Sequence, residues 1–524
     1  MFDLILQQGT VIDGTKKSRF QADVGIIGDR ITAVGDLRGV EAREVWNVAG
    51  KVVAPGFIDV HNHTDGWLIK EPLLSVKTSQ GFTTEVIMSD GISYAPVSPL
   101  TAPQWMFYLR ALNGLRMDEY QGWETIADYM KLMHGHSLQN AIAQIPYANV
   151  RTLCCGFGPK KVDDLHRRII VEEVRREMED GACALSTGLD YIAQCHSTTE
   201  DLVDACRPVA DKGGLYVTHI RYKLGMLEGV QEAVEIGKRT GVKVHISHLK
   251  EESPGHVDEL MNYIDNVARK EVDFSFDAYP YQPGSTMLSY LLPYECFEDG
   301  PIASPAKLLD PEIRLLFRKS LQTYPLDLDR IHIAWVQSKE NSIHQGKSLS
   351  QFVAERGLPA EEALLELLIE ERMAVLLVFD QGDDEWIHPI LKHDLQMVGS
   401  DGIYFPDSVT HPRVAGTATR FIGPLVRDRR LFTLEEAVHK LSGYPASRFG
   451  LKKRGIVQEG YFADLVVFDP NTVTDHATIK EPLRPSTGID AVFVNGVPVV
   501  KAGTPITEMS GPRPGRWLKF NREN

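Results

Sequence analysis

The chain has 524 residues, 43% apolar and 24% charged, with a formal charge of −15. This is the composition of a globular protein too long for one ordinary core. The acidic balance weighs against nucleic acid, whose phosphates need clustered Lys and Arg, but leaves room for a local basic pocket. No uncharged apolar run approaches the roughly 18 residues that span a bilayer, and no charged leader precedes an apolar stretch at the N-terminus. The six cysteines (154, 155, 183, 195, 206, 296) form no CxxC pair. A cytoplasmic chain with free thiols and no membrane partner is therefore expected.

In chain order, apolar runs at 2–6 and 23–27, then Gly28-Asp29-Arg30 leading into 31–34, carry a hairpin signal. Strand-like runs follow at 56–60, 83–88, 141–145, 183–186, 215–220, 242–247, 272–277 and 397–400. Helical patterns at 171–180, 202–212, 227–240 and 257–270 separate several of them. This alternation predicts an α/β fold with a (β/α)8 barrel of the TIM type. The stretch from Gly284 to about Ile390 exceeds a normal βα connection and is expected to be an insertion or lid over the barrel mouth. Two more strands, at 463–468 and 491–497, the second with an Asn495-Gly496 turn, match the N-terminal end in character. The predicted organisation is a small β-sandwich domain from residues 1–54 and 450–524 around a barrel at 55–449.

Within Pro55-Gly56-Phe57-Ile58-Asp59-Val60-His61-Asn62-His63, side-chain alternation puts His61 and His63 on one face. They stand at the C-terminal end of the run, where barrel enzymes build their sites, and two imidazoles there make half of a zinc site. His219 ends the 215–220 run. In Val244-His245-Ile246-Ser247-His248-Leu249-Lys250 the two histidines are three apart, so strand parity separates them. His248 and Lys250 share a face. Asp401 follows the last run.

The segments PGFIDVHNH, ALSTGLDY at 184–191, THIR at 218–221, VHISHLK at 244–250, DAYPY at 277–281, GSDG at 399–402 and the closing GPRPGRWLK resemble the amidohydrolase superfamily, and within it the N-acyl-D-amino-acid deacylase (D-aminoacylase) branch. The resemblance spans nearly the whole chain. It implies one or two divalent ions, zinc foremost, held by His61, His63, His219 and His248, with Asp401 as catalytic acid/base. It also makes the His248 face the inward one, so that His245 points toward the helices. One position departs. Where the branch carries a metal-binding cysteine after the second strand, this chain has Asp90, a carboxylate able to ligate zinc or bridge two ions. Glu85, earlier in that strand, is expected to belong to a structural ion pair.

The implied chemistry is hydrolysis of an amide by metal-activated water, with Asp401 passing the proton to the leaving amine. The implied substrate is a small N-acyl compound with a carboxylate near the amide. Lys250 and Tyr191 match substrate-contacting positions, with Tyr281 and Arg221 as further candidates; His411 and Arg413 are expected either to help shape the mouth or to sit on the loop rim. A hydantoinase- or dihydroorotase-like opening of cyclic amides or imides is the alternative, and an inactive scaffold is the alternative of another class. Homo-oligomer formation is left open.

Overall fold

The computed structural model describes residues 1–250, 254–323, 326–380 and 382–523. Both chain ends enter one nine-stranded sheet. Its order runs Thr504–Pro505, Val497–Lys501, Ile489–Val494, Leu465–Phe468, Val52–Pro55, Phe2–Val11, Phe20–Ile27 and Arg30–Gly35, with Ala42–Asn47 pairing parallel to Phe2–Val11. The two predicted turns lie where the sequence puts them. Ile27 pairs with Arg30 across Gly28-Asp29, and Val494 with Val497 across Asn495-Gly496. Asn495 and Gly496 both take positive φ (49° and 79°), as a two-residue hairpin turn requires.

Strand parity explains how this sheet is held. Val53, Leu465 and Val467 join Leu4, Leu6, Val24 and Phe493 in a small core on one face. Their neighbours Val52, Ala54, Val466 and Phe468 point to the other face and enter the main core. The central strands are thus buried on both sides, which welds the terminal sheet to the rest of the molecule.

The middle of the chain supplies two parallel sheets. One orders Trp517–Leu518, Asn140–Ala143, Phe82–Ile87 and Phe57–Asp59; the other orders Gln396–Val398, Phe274–Ala278, Lys243–Ile246, Leu215–His219, Ala184–Gly188 and Ile145–Pro146. Every predicted middle-region run falls on one of these strands. Hydrogen bonds link the sheets at both sides. Gln144 N donates to Ile87 O at 3.1 Å and Cys183 N to Ala143 O at 3.0 Å. On the other side Asp401 N donates to His61 O at 2.7 Å, His63 N to Gly402 O at 3.0 Å, and Asn62 bridges Gly402.

One expectation needs adjustment. The tail does not stay with the terminal sheet: Trp517 and Leu518 pair with Ala141 and Ile142 in the four-stranded sheet. That strand otherwise presents an open edge of unpaired backbone, which the tail covers. The 284–390 insertion carries its own antiparallel sheet, Gly284–Met287, Val375–Phe379 and Ile331–Val336, with helices Leu349–Arg356 and Ala360–Glu370 alongside. Among the described residues no helix is long and apolar enough to cross a membrane, and all six cysteines are free.

Glu85 is buried without an ion pair among the described residues, contrary to expectation. The Thr64 hydroxyl lies 2.5 Å from its Oε2 and 2.7 Å from Asn62 Oδ1. One hydroxyl proton cannot serve both, so a protonated Glu85 that donates to Thr64 completes the chain. Burial pushes the Glu85 pKa from 4.5 up to about 7. An acid with a raised folded-state pKa binds its proton more tightly when folded, so stability falls as pH rises from about 4.5 through about 7. Glu85→Gln is expected to flatten that dependence and to unfold at higher urea than wild type at pH 8, by on the order of 3 kcal/mol. Parallel urea curves for the two proteins at pH 5 and pH 8 test this; an unchanged slope with pH would place the titration elsewhere.

Candidate metal centre

His61 and His63 follow the short Phe57–Asp59 strand, and both are buried. Asp90 sits just beyond Phe82–Ile87, at φ 57° in a tight turn. His219 ends Leu215–His219; His248 (φ 35°) lies in a turn just past its strand, and Asp401 (φ 48°) follows Gln396–Val398. Three of these six residues therefore hold a backbone conformation that side chains with a Cβ seldom adopt, as happens where geometry is dictated by a site.

The four histidines converge on Asp90. Its Oδ1 lies 3.5 Å from His61 Nε2 and 3.6 Å from His248 Nε2; its Oδ2 lies 3.5 Å from His63 Nε2 and 3.9 Å from His219 Nδ1. Asp401 Oδ1 lies 3.2 Å from His63 Nε2 and 3.7 Å from His61 Nε2. Two compact ligand groups result, His61–Asp90–His248 and His61–His63–Asp401. His61 Nε2 and Asp90 Oδ1 face each other with no hydrogen-bond partner among the described residues. Buried polar atoms are normally satisfied, and an all-nitrogen-and-oxygen donor set around this gap fits a borderline divalent cation.

Distal contacts orient the rings toward the gap. Tyr222 OH lies 3.0 Å from both Ser247 O and His248 Nδ1. The phenol has one proton and the carbonyl can only accept, so His248 Nδ1 carries the hydrogen and Nε2 is left as the ligating lone pair. His61 Nδ1 faces Asp277 Oδ2 at 3.7 Å, and His219 Nε2 faces Asp190 Oδ2 at 3.8 Å. Burial opposes charge on His61, yet Asp90 and Asp277 outweigh it and hold its pKa well above the usual value. Burial likewise opposes charge on Asp90, but the facing imidazoles hold it well below the usual range. The cluster is built to take a positive charge, and a proton and a cation compete for it.

His245 does not point toward the helices. It is fully buried, with Nδ1 2.9 Å from Ser275 Oγ and Nε2 2.9 Å from Asp277 Oδ2. The parity argument fails because the strand stops at Ile246 and the chain turns through His248, so both histidines reach the interior. Asp277, part of the DAYPY segment, received no role from sequence reasoning. Its other oxygen accepts the His248 backbone N–H at 2.9 Å. At Gly399 a Cβ would come within 2.6 Å of both Asp277 Oδ1 and His61 Cβ, so only glycine fits there.

Arg413 is fully buried rather than at the rim. Its Nη1 lies 2.7 Å from Asp401 Oδ2, its Nη2 donates to Ser285 O at 3.2 Å, and its guanidinium stacks over Tyr279. Burial raises the Asp401 pKa, but Arg413 and the histidines prevail and hold it well below the ordinary value. His411 is also buried, accepting Arg413 N–H at its Nδ1 at 3.0 Å. Burial, then Arg413 and Lys250, hold its pKa well below the usual value.

The cluster opens into a cavity of about 530 Å³. Of the four expected substrate residues, the structure brings two to it. Tyr191 packs on His219, ring centroids 5.0 Å apart, with its OH 3.0 Å from Thr286 Oγ1. Lys250 Nζ donates to Tyr279 OH, Gln282 O and Pro283 O at 3.1, 3.0 and 3.3 Å. Tyr281 and Arg221 lie elsewhere. Tyr281 OH donates to Asp475 at 3.2 Å in a neighbouring cleft. Arg221 pairs with Glu232 at 3.0 Å and donates to the carbonyls of Cys195 and Ser197, because the chain turns outward after His219. The insertion contributes Thr286, Tyr290, Phe379 and Trp386 to the wall.

Asp90→Ala is expected to lower metal affinity at least tenfold, because a ligand contributes more than the outer contacts whose loss costs ~10–100-fold. Elemental analysis after dialysis against a weak chelator reads this out; unchanged stoichiometry would make Asp90 a turn residue.

Parallel strands alternating with helices, and a buried His/Asp cluster at their C-terminal ends, define a metal-dependent amidohydrolase. The amidohydrolase family matches residues 372–500. The chain is 35% identical over 510 residues to D-aminoacylase of Alcaligenes xylosoxydans xylosoxydans, covering 95% of this chain and 94% of that one. It therefore belongs to the D-aminoacylase family of N-acyl-D-amino-acid deacylases. N-acyl-D-glutamate deacylase from Bordetella bronchiseptica, solved with zinc and a phosphonate mimic of the tetrahedral intermediate, superposes with a TM-score of 0.83 at 31% identity, over 99% of each chain. A structure of D-aminoacylase, whose binuclear metal centre has been studied, superposes at 0.80 with 33% identity, over 99% of this chain and 100% of that one.

Proposed function

We propose that this protein hydrolyses the amide bond of N-acyl-D-amino acids. One observation carries the reading. The His/Asp cluster shares a cavity with Lys250, whose ammonium among the described residues donates only to neutral oxygens. The cavity's other cation, Arg413, is already paired with Asp401. Lys250 thus offers an uncompensated charge to a substrate carboxylate.

A divalent cation such as zinc, held by His61, His63, Asp90, His219 and His248, would supply carbonyl polarisation and lower the pKa of water from about 15.7 toward about 7. The chain's own groups do the rest. Asp401, kept unprotonated by Arg413, accepts a proton from the attacking water and returns it to the amine nitrogen as the C–N bond breaks. Lys250 anchors the carboxylate and so fixes the amide relative to Asp401. Tyr191 closes one wall beside His219.

The hydrogen bonds joining the last parallel strand to the first support a closed (β/α)8 barrel over residues 55–449. The double-faced packing of the terminal sheet supports a small domain from 1–54 and most of 450–524. Release of amine from N-acetyl-D-amino acids, in preference to the L forms, tests the function. Inactivity on both, with turnover of hydantoins or dihydropyrimidines, would replace it by ring opening.

A further inference from the structure

Building on the deacylase reading, we propose that the substrate carries a single carboxylate and an apolar side chain, and that N-acyl-D-aspartate and N-acyl-D-glutamate are poor substrates. A dicarboxylate brings two anions into the cavity, and the wall is equipped for one. Lys250 takes the carboxylate beside the amide. Arg413 is the only other Lys or Arg among the described lining residues, and its charge is spent on Asp401 at 2.7 Å. The remaining surface is largely hydrocarbon and aromatic, with Leu112, Met226, Leu291, Phe379 and Trp386 contributing.

Lys223 stands just outside this lining. Its ammonium lies behind the Tyr290 ring, 4.5 Å from the centroid, and donates to Tyr294 OH at 3.2 Å. Tyr290, not Lys223, faces the cavity. A second carboxylate would therefore lose its hydration without gaining a charged partner among the described lining residues. An apolar side chain gains from the same wall.

The test is kcat/KM on a matched set of N-acetyl-D-methionine, -leucine, -aspartate and -glutamate with the metal-loaded full chain. The neutral pair is expected to exceed the acidic pair at least about a hundredfold, and Lys223→Ala is expected to leave that ratio unchanged. Comparable or faster turnover of the acidic pair overturns the inference while the deacylase reading stands. If Lys223→Ala then abolishes that turnover, Lys223 is the second anchor. No turnover of any of the four, with ring-opening activity present, overturns the deacylase reading itself.

Discussion

Asp401→Asn is expected to reduce turnover of N-acyl substrates by roughly 10²–10⁴-fold, the range for losing a positioned acid/base, while the protein keeps its fold and metal. Among the described residues, this carboxylate is the one acidic group placed both against the imidazole pair His61 and His63 and against a buried arginine. The amide is close to isosteric, can still offer an oxygen to the histidines, and cannot accept and return a proton. Elemental analysis with kcat and KM separates the roles. Retained metal with a collapsed kcat is the expected pattern. Near-wild-type turnover would remove Asp401 from the proton path, whereas parallel loss of metal and activity would make it only a ligand.

Lys77→Met is expected to cost about 3–5 kcal/mol of folding free energy, the usual effect of breaking one side of a buried pair. Lys77 is completely buried. Its Nζ lies 2.5 Å from Asp59 Oδ2 and also bonds Ser400 Oγ. Asp59 in turn accepts Ser400 N–H at 2.8 Å and Ser400 O–H at 2.6 Å. This triad ties the strand that delivers His61 and His63 to the one that delivers Asp401. Replacing Lys77 leaves the Asp59 carboxylate buried without its cation. The double change Lys77→Met with Asp59→Leu removes both charges and should recover part of the loss. Urea unfolding of the three variants reads this directly. A single variant within 1 kcal/mol of wild type, a change expected at exposed pairs, would show that the pair contributes nothing net.

Sequence reasoning located the strands well and the contact network poorly, and the reason is physical. Buried parallel strands are short apolar runs bounded by polar turns, visible without neighbours. His61, His63 and His219 were readable for the same reason: each lies at or just past the end of such a run. His245 was misplaced because alternation holds only while the strand continues, and the turn at His248 leaves no mark in a pattern of polar and apolar residues. Arg221 shares the THIR segment with His219 yet faces Glu232, since where a chain bends is decided by what it packs against. Lys77 and Arg413 look like surface cations, and Asp277 like part of a strand end. Their partners are 18 to 323 residues away for Lys77, 12 to 128 for Arg413 and 29 to 216 for Asp277.

The sequence by itself determined the element order, the terminal hairpins and the histidines that end the apolar runs. Those follow from local pattern, which acts over a few residues, whereas Asp90 was singled out only by the family resemblance. Only the tertiary structure decided which side chains meet: that Asp277 backs both His61 and His248, that Arg413 holds Asp401, and that Lys250 but neither Tyr281 nor Arg221 reaches the cavity. Burial, pairing and hydrogen-bond satisfaction are set between segments far apart in the chain, so no local window of the sequence contains them.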